Sequence, residues 1–162
     1  MGLKMDREIT RAYLSQLKTI DRRIKCKLEE AEKWRGIAEN RSNHISEVKV
    51  QTSSKTDKMA EAVTKAMEYE EESRALAERL VETKHHMISQ MEGLDNDRHY
   101  LILNMYFVQD MTYNKIQTEL DCTFNNVKKS LRDAVKAFGD KYEKEIRETL
   151  KIPQDITTTE KT

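Results

Sequence analysis

Residues 112–138 read TYNKIQTELDCTFNNVKKSLRDAVKAF. Thr112 and Thr123 are residue types that cap helix N-termini through their side-chain oxygen. The spacing predicts a helix over 113–120, a turn at Asp121-Cys122, and a second helix from Thr123 through Phe138. Ile116 and Leu120 fall on the inward face of the first helix. Val127, Leu131, Ala134 and Val135 fall on that of the second. This is helix-turn-helix spacing. The outward face of the second helix carries Thr123, Phe124, Asn125 and Asn126, then Lys128, Lys129, Arg132 and Lys136. Residues 123–138 carry about +3. Short polar side chains at a helix N-terminus can reach base edges in a major groove. Asn pairs bidentately with adenine, so Asn125 and Asn126 are candidate readers. Lys128, Lys129, Arg132 and Lys136 suit phosphates, which position rather than specify. The competing reading is a set of amphipathic helices with a solvated charged face.

Outward from this stretch, Asp95-Asn96-Asp97 opens a further helix with Tyr100, Leu101, Leu103, Met105, Tyr106 and Phe107. Gln109-Asp110-Met111 reads as a turn. Gly139 is expected to interrupt the helix that ends at Phe138, and Asp140–Leu150 continues as a charged helix. Pro153 ends regular structure, and residues 151–162 read as a disordered tail.

The front half has a different texture. Tyr13, Leu17, Ile20, Ile24, Leu28, Ala31, Trp34 and Ala38 recur in steps of three and four, predicting one helix from Asp6 to about Asn40, about 50 Å long. Residues 40–56 are rich in Asn, Ser and Thr and read as a connector, with Val48 and Val50 as anchors. A second long helix is expected from Asp57, capped by Thr56 or Asp57, to a stop at Gly93. Its stripe is Met59, Val63, Ala66, Met67, Leu76, Ala77, Leu80, Met87, Ile88 and Met91, weakening at Glu70–Ser73. A narrow-striped helix cannot bury its face alone, so a long antiparallel hairpin, or an intermolecular coil, is expected. The expected organisation is all-α: a coiled-coil-like hairpin over 6–92, a helix-turn-helix module over 94–150, and the tail.

Composition agrees. The 162 residues are 36% charged and 37% apolar, with four Gly and one Pro. Such a chain reads as charge-laced helices rather than an enzyme core. The 29 Lys+Arg balance 29 Asp+Glu, which argues against whole-protein attraction to nucleic acid but not against a local basic face. By segment the charge is about +5 over 1–56, about −4 over 57–93 and about −1 over 94–150. No stretch approaches a membrane span, and the N-terminus lacks the apolar core of a signal peptide. Cys26 and Cys122, with no CxxC, read as intracellular free thiols.

Met111–Phe138 resembles region 4 of bacterial sigma factors, with Thr123, Val127, Leu131 and Ala134 on that pattern's cap and apolar steps. Arg98–Phe107 resembles the helix that leads into region 4. Tyr13–Arg35, YLSQLKTIDRRIKCKLEEAEKWR, looks like the opening helix of phage-encoded sigma-like proteins, and residues 50–63 are similar to their linker and second helix. The sequence departs from the pattern at Gln117, Asp121, Arg132 and Thr112-Tyr113. The resemblance, over about residues 10–140, implies a phage or prophage transcription regulator akin to the ArpU-type late-gene activators, acting in the cytoplasm of a bacterial host. It implies contacts to double-stranded DNA from Thr123, Asn125, Asn126, Lys128, Lys129 and Arg132, with Thr112 near the backbone. Host RNA polymerase and a second copy of the chain, through the hairpin, are the implied protein partners. Sigma regions 1 to 3 are not visible, so promoter melting is not expected.

Other constellations are weaker. Glu82 and His86, at i and i+4, could share a metal, but no third ligand stands at a clear spacing, so no metal or other cofactor is expected. Glu68 and Glu70–Glu72 spread around a helix and read as a solvated patch. No phosphate loop or nucleophile-His-Asp order occurs, so no enzyme is expected. Arg22, Arg23, Lys25 and Lys27 could touch flanking DNA but are better read as helix-face pairs with Glu29 and Glu30. The rival function is a protein-interaction adaptor, in which the hairpin and terminal module bind RNA polymerase or another phage or host protein.

Overall fold

The structure, a computed structural model, describes residues 6–47 and 53–151. Every regular element among them is helical: α1 (Arg7–Glu47), α2 (Ser53–Glu92), α3 (Asp97–Leu103), α4 (Tyr113–Glu119) and α5 (Phe124–Thr149). A π-helical turn over Asn104–Val108 follows α3, closed by the Gln109 N–H donating to the Asn104 carbonyl at 2.9 Å. The protein is all-α, as the periodicity predicts. No helix among the described residues is long and apolar enough to cross a membrane.

Three local expectations are corrected. The connector over 40–56 is narrower: α1 runs to Glu47 and α2 starts at Ser53, so Asp57 lies inside α2 rather than capping it. Ser, Asn and Thr cost a helix only tenths of a kcal/mol each, about 0.7 at most, and neither Pro nor Gly stands there to stop it. Val48, Val50 and the tail from Ile152 onward lie outside the described residues. The third correction concerns Gly139, which does not interrupt α5. It is buried within the helix, and the non-helical residue is Tyr142 (φ −113°, ψ 22°). One interior Gly costs about 1 kcal/mol, and the apolar face of Val135, Phe138 and Ile146 outweighs it.

The chain divides into two compact units, residues 1–19 with 84–162, and residues 20–83. This differs from the division read at Gly93, and the core explains why. In the first unit Tyr13, Leu14 and Leu17 of α1 and Met87 and Met91 of α2 are buried. So are Ile102, Leu103, Phe107, Ile116, Val127, Leu131 and Phe138. Helices as short as α3 and α4 gain their stability from packing rather than propensity. The ends of the long helices supply part of that packing. Tyr13 OH donates to Gln90 Oε1 (2.8 Å), and Gln90 Nε2 donates to Glu145 Oε2 (2.6 Å), satisfying a buried amide. Burial pushes the Tyr13 phenol up. The Gln90 bond opposes this and the Glu145 charge adds to it.

In the second unit α1 and α2 meet through small residues: Ala31, Ala38, Ala66, Ser73 and Ala77 are buried. Positions 31 and 38, and 66 and 73, are a heptad apart, the repeat of a helix-on-helix contact. Trp34 packs on Tyr69 (4.9 Å between ring centroids), and Arg74 bridges Glu32 (2.8 Å) and Glu70 (3.1 Å). Two stripe residues expected inside are not. Leu28 is 43% and Met67 58% exposed, because the Ala and Ser positions take the contact instead.

α2 ends at Glu92, one residue before Gly93, as expected, but Gly93 does not take the left-handed conformation of a glycine helix cap. A Cβ on it would collide with the Tyr142 hydroxyl, while Lys141 Nζ donates to its carbonyl. Helix propensity alone favours Gly93→Ala by up to about 1 kcal/mol. The contact is with the far end of a half-buried side chain that can turn aside, so the two effects nearly cancel and Gly93→Ala should change stability by about 1 kcal/mol or less in urea unfolding. In a Tyr142→Phe background the helix-propensity gain should show in full. A loss above about 2 kcal/mol in the parent chain would show that the tyrosine does not give way.

Candidate nucleic-acid interface

The site is built on α4, α5 and the turn between them. Thr112 Oγ1 accepts from the Lys115 N–H (3.3 Å) and Thr123 Oγ1 from the Asn126 N–H (3.3 Å), so both capping expectations hold. Asp121 adopts φ 46°, the left-handed conformation that an Asp tolerates better than most side chains. Ile116, Val127, Leu131, Ala134 and Val135 are buried, as read from the pattern, and Leu120 is half-buried. These contacts fix which way α5 faces.

Thr112, Thr123, Asn125, Asn126, Lys128, Lys129, Arg132 and Lys136 are all exposed. At roughly 100° per residue, Asn125, Lys128, Lys129, Arg132 and Lys136 share one face of α5, with Asn126 turned away from it. Phe124, 39% exposed, stands edge-on to Tyr113 (5.7 Å), and Lys128 Nζ lies 5.2 Å from the Phe124 ring centre. None of the four cations on this face has an ion-pair partner among the described residues. Elsewhere some surface charges pair, Lys25 with Glu29 (3.8 Å), Lys27 with Glu30 (2.8 Å), Arg35 with Glu39 (3.1 Å) and Lys65 with Glu61 (3.5 Å), while others such as Lys33, Arg79 and Arg98 have no ion-pair partner among the described residues. Of the four cations read as helix-face pairs, Lys25 and Lys27 are paired with Glu29 and Glu30, whereas Arg22 and Arg23 have no ion-pair partner among the described residues.

An open groove of about 880 Å³ runs between this face and the first turns of α1, lined by Arg7, Arg11, Tyr113, Lys128, Lys129 and Arg132 among others. Asn125 also lines it, whereas Thr112, Thr123, Asn126 and Lys136 do not. Arg11 Nη2 donates to Tyr106 OH (3.0 Å) and Tyr113 OH (3.2 Å), and these two rings stack at 5.4 Å. The Tyr113 bond, against some loss to burial, raises the Arg11 guanidinium above its ordinary range. Burial pushes the Tyr113 phenol up. Hydrogen bonds from Arg11 and Tyr106 and the charges of Arg11 and Lys128 outweigh it, and the net direction is down. Sequence reading missed Arg7 and Arg11. Two like charges at i and i+4 are mildly unfavourable on a helix, and that was the available hint.

The rival sites look different in three dimensions. His86 Nε2 lies 3.4 Å from Glu145, and Glu70 is tied to Arg74. Among the described residues no group of three or more His, Cys, Asp or Glu could hold a metal ion. Cys26 is exposed and Cys122 half-buried, and both are free thiols. No family model, curated protein or solved structure matches the chain.

Proposed function

We propose that the chain is a DNA-binding transcription regulator whose α4 and α5 act as a helix-turn-helix, in a region-4-like module that follows a helical hairpin. The observation that carries this reading is the row of four unpaired cations on α5, directly after a capped N-terminus bearing exposed Asn125 and Asn126. Cations without an ion-pair partner occur elsewhere on the surface too, and what sets these four apart is that they stand together on one face of one helix. In this reading Asn125 reaches base edges from the cation face, Lys128, Lys129, Arg132 and Lys136 hold phosphates, and Thr112 sits near the backbone, while Asn126, turned away from that face, is not assigned a base contact. The setting is a phage or prophage, the mode of action is recruitment rather than promoter melting, and no catalytic step is assigned.

One observation favours the adaptor reading for the second unit. Leu28, Ile37, Met67 and Val81 are apolar and at least a third exposed there. A protein partner, whether RNA polymerase or a second copy of the chain, would cover such side chains.

The test is binding of the purified full chain to fragments of the genome that encodes it. Four phosphate contacts give a slope of about −3.6 in log K against log salt, so affinity should fall about 10²-fold between about 50 and about 200 mM. Some fragments should be preferred over others. A folded protein that binds no fragment at low salt is not a DNA reader on its own, and the adaptor reading takes its place.

A further inference from the structure

We infer that Arg7 and Arg11 of α1 form, with Lys128, Lys129 and Arg132 of α5, a single two-sided groove that grips a nucleic-acid backbone. The inference rests on the DNA-binding reading and adds to it the wall of the groove that lies more than a hundred residues away in sequence.

Three observations support it. Both arginines are exposed, both line the groove, and neither has an ion-pair partner among the described residues. Arg11 is also held in place. Its Nη2 is spent on the Tyr106 and Tyr113 hydroxyls, and phenols orient a guanidinium without neutralising it. Of its five N–H donors, those on Nε and Nη1 remain for an anion. A preformed cation loses less freedom on binding than a waving one. Finally, the walls match a linear polyanion. The α5 wall of the groove from Asn125 to Val135 extends about 15 Å, and successive phosphates of one strand are spaced about 3.4 Å along the axis. Asp6 and Glu8 also line the groove, so its five cations are opposed by two carboxylates. The Asp6 carboxylate is engaged, accepting the Glu8 N–H at 3.0 Å as the cap of α1. The groove remains net cationic.

The experiment titrates a mixed-sequence 30-base-pair duplex with the full chain across a salt series, using the parent, Arg7→Ala/Arg11→Gln, and Lys128→Ala/Lys129→Ala. Gln at position 11 can still donate to the tyrosine hydroxyls, and matching helical circular dichroism melts verify folding. Each lost phosphate contact makes the log–log slope shallower by about 0.9. Both double variants should therefore lose about 1.8 from the slope. If only Lys128→Ala/Lys129→Ala loses slope, the arginine wall does not hold DNA and the inference falls, while the DNA reading stands. If the parent does not bind duplex at all, both fall together. Polyglutamate is run as a second probe. Tighter binding of polyglutamate than of duplex, lost in Arg7→Ala/Arg11→Gln, would assign the groove to an acidic protein segment and overturn the inference.

Discussion

Lys128→Ala/Lys129→Ala should weaken duplex binding at every sequence tested and make the salt dependence shallower by about 1.8 in log–log slope. Between about 50 and about 200 mM salt, the parent's loss of affinity should exceed the variant's by about tenfold. The physical reason is that counterions released from DNA are counted by the cations that replace them. Lys128 and Lys129 are exposed, on the groove face, and without carboxylate partners among the described residues. Lys25→Ala/Lys27→Ala provides the control. Those lysines already face Glu29 and Glu30, so removing them should leave the slope unchanged. Neither double variant should move the melting temperature much, since exposed charges contribute about 0–1 kcal/mol. Asn125→Ala should behave differently again. A bidentate base contact discriminates by about 1–3 kcal/mol, so its loss should flatten the preference among fragments while the slope stays put. An equal slope change in the Lys25/Lys27 and Lys128/Lys129 variants would show attraction by overall charge, and would remove α5 from its assigned role.

Much of this site was legible because capping and periodicity are local. Thr112, Thr123, Ile116, Val127, Leu131, Ala134 and Val135 each sit where a rule about neighbours within four residues places them. The turn at Asp121 was legible for the same reason. What could not be read was anything set by packing at long range. Arg7 and Arg11 enter the groove because Tyr106 and Tyr113 lie against α1, and no spacing within α1 encodes that. Tyr142 rather than Gly139 carries the irregular backbone, because its ring packs on Phe138 and its hydroxyl occupies the space at Gly93. The apolar stripes misled in the second unit. Leu28 and Met67 have the right period, yet Ala31, Ala38, Ala66, Ser73 and Ala77 make the contact. Period tells which side of a helix is apolar, and close approach of two helices selects the small residues on it.

The largest stability change should come from Phe138→Ala, with a loss of about 3–5 kcal/mol. Phe138 is fully buried on α5, with Tyr13 of α1 at 6.1 Å and Tyr142 at 5.0 Å between ring centroids. Removing the ring deletes the transfer free energy of a large apolar group and leaves a cavity between helices that come from opposite ends of the chain. At a urea dependence of about 2 kcal/mol per molar, the unfolding midpoint should drop by about 2 M. That is a large part of the 5–15 kcal/mol that holds a typical domain folded. Phe124→Ala is the matched comparison, the same substitution fourteen residues earlier on the same helix. Phe124 is 39% exposed and touches Tyr113 only edge-on, so its loss should cost about 1 kcal/mol or less. The contrast separates two architectures. If residues 94–150 folded as a module independent of α1, Phe138 would lack its Tyr13 neighbour. Deleting residues 1–19 would then leave the midpoint of the remaining chain unchanged. In the structure described here that deletion removes Tyr13, Leu14 and Leu17 from the same core, and should destabilise α3–α5 at least as much as Phe138→Ala does.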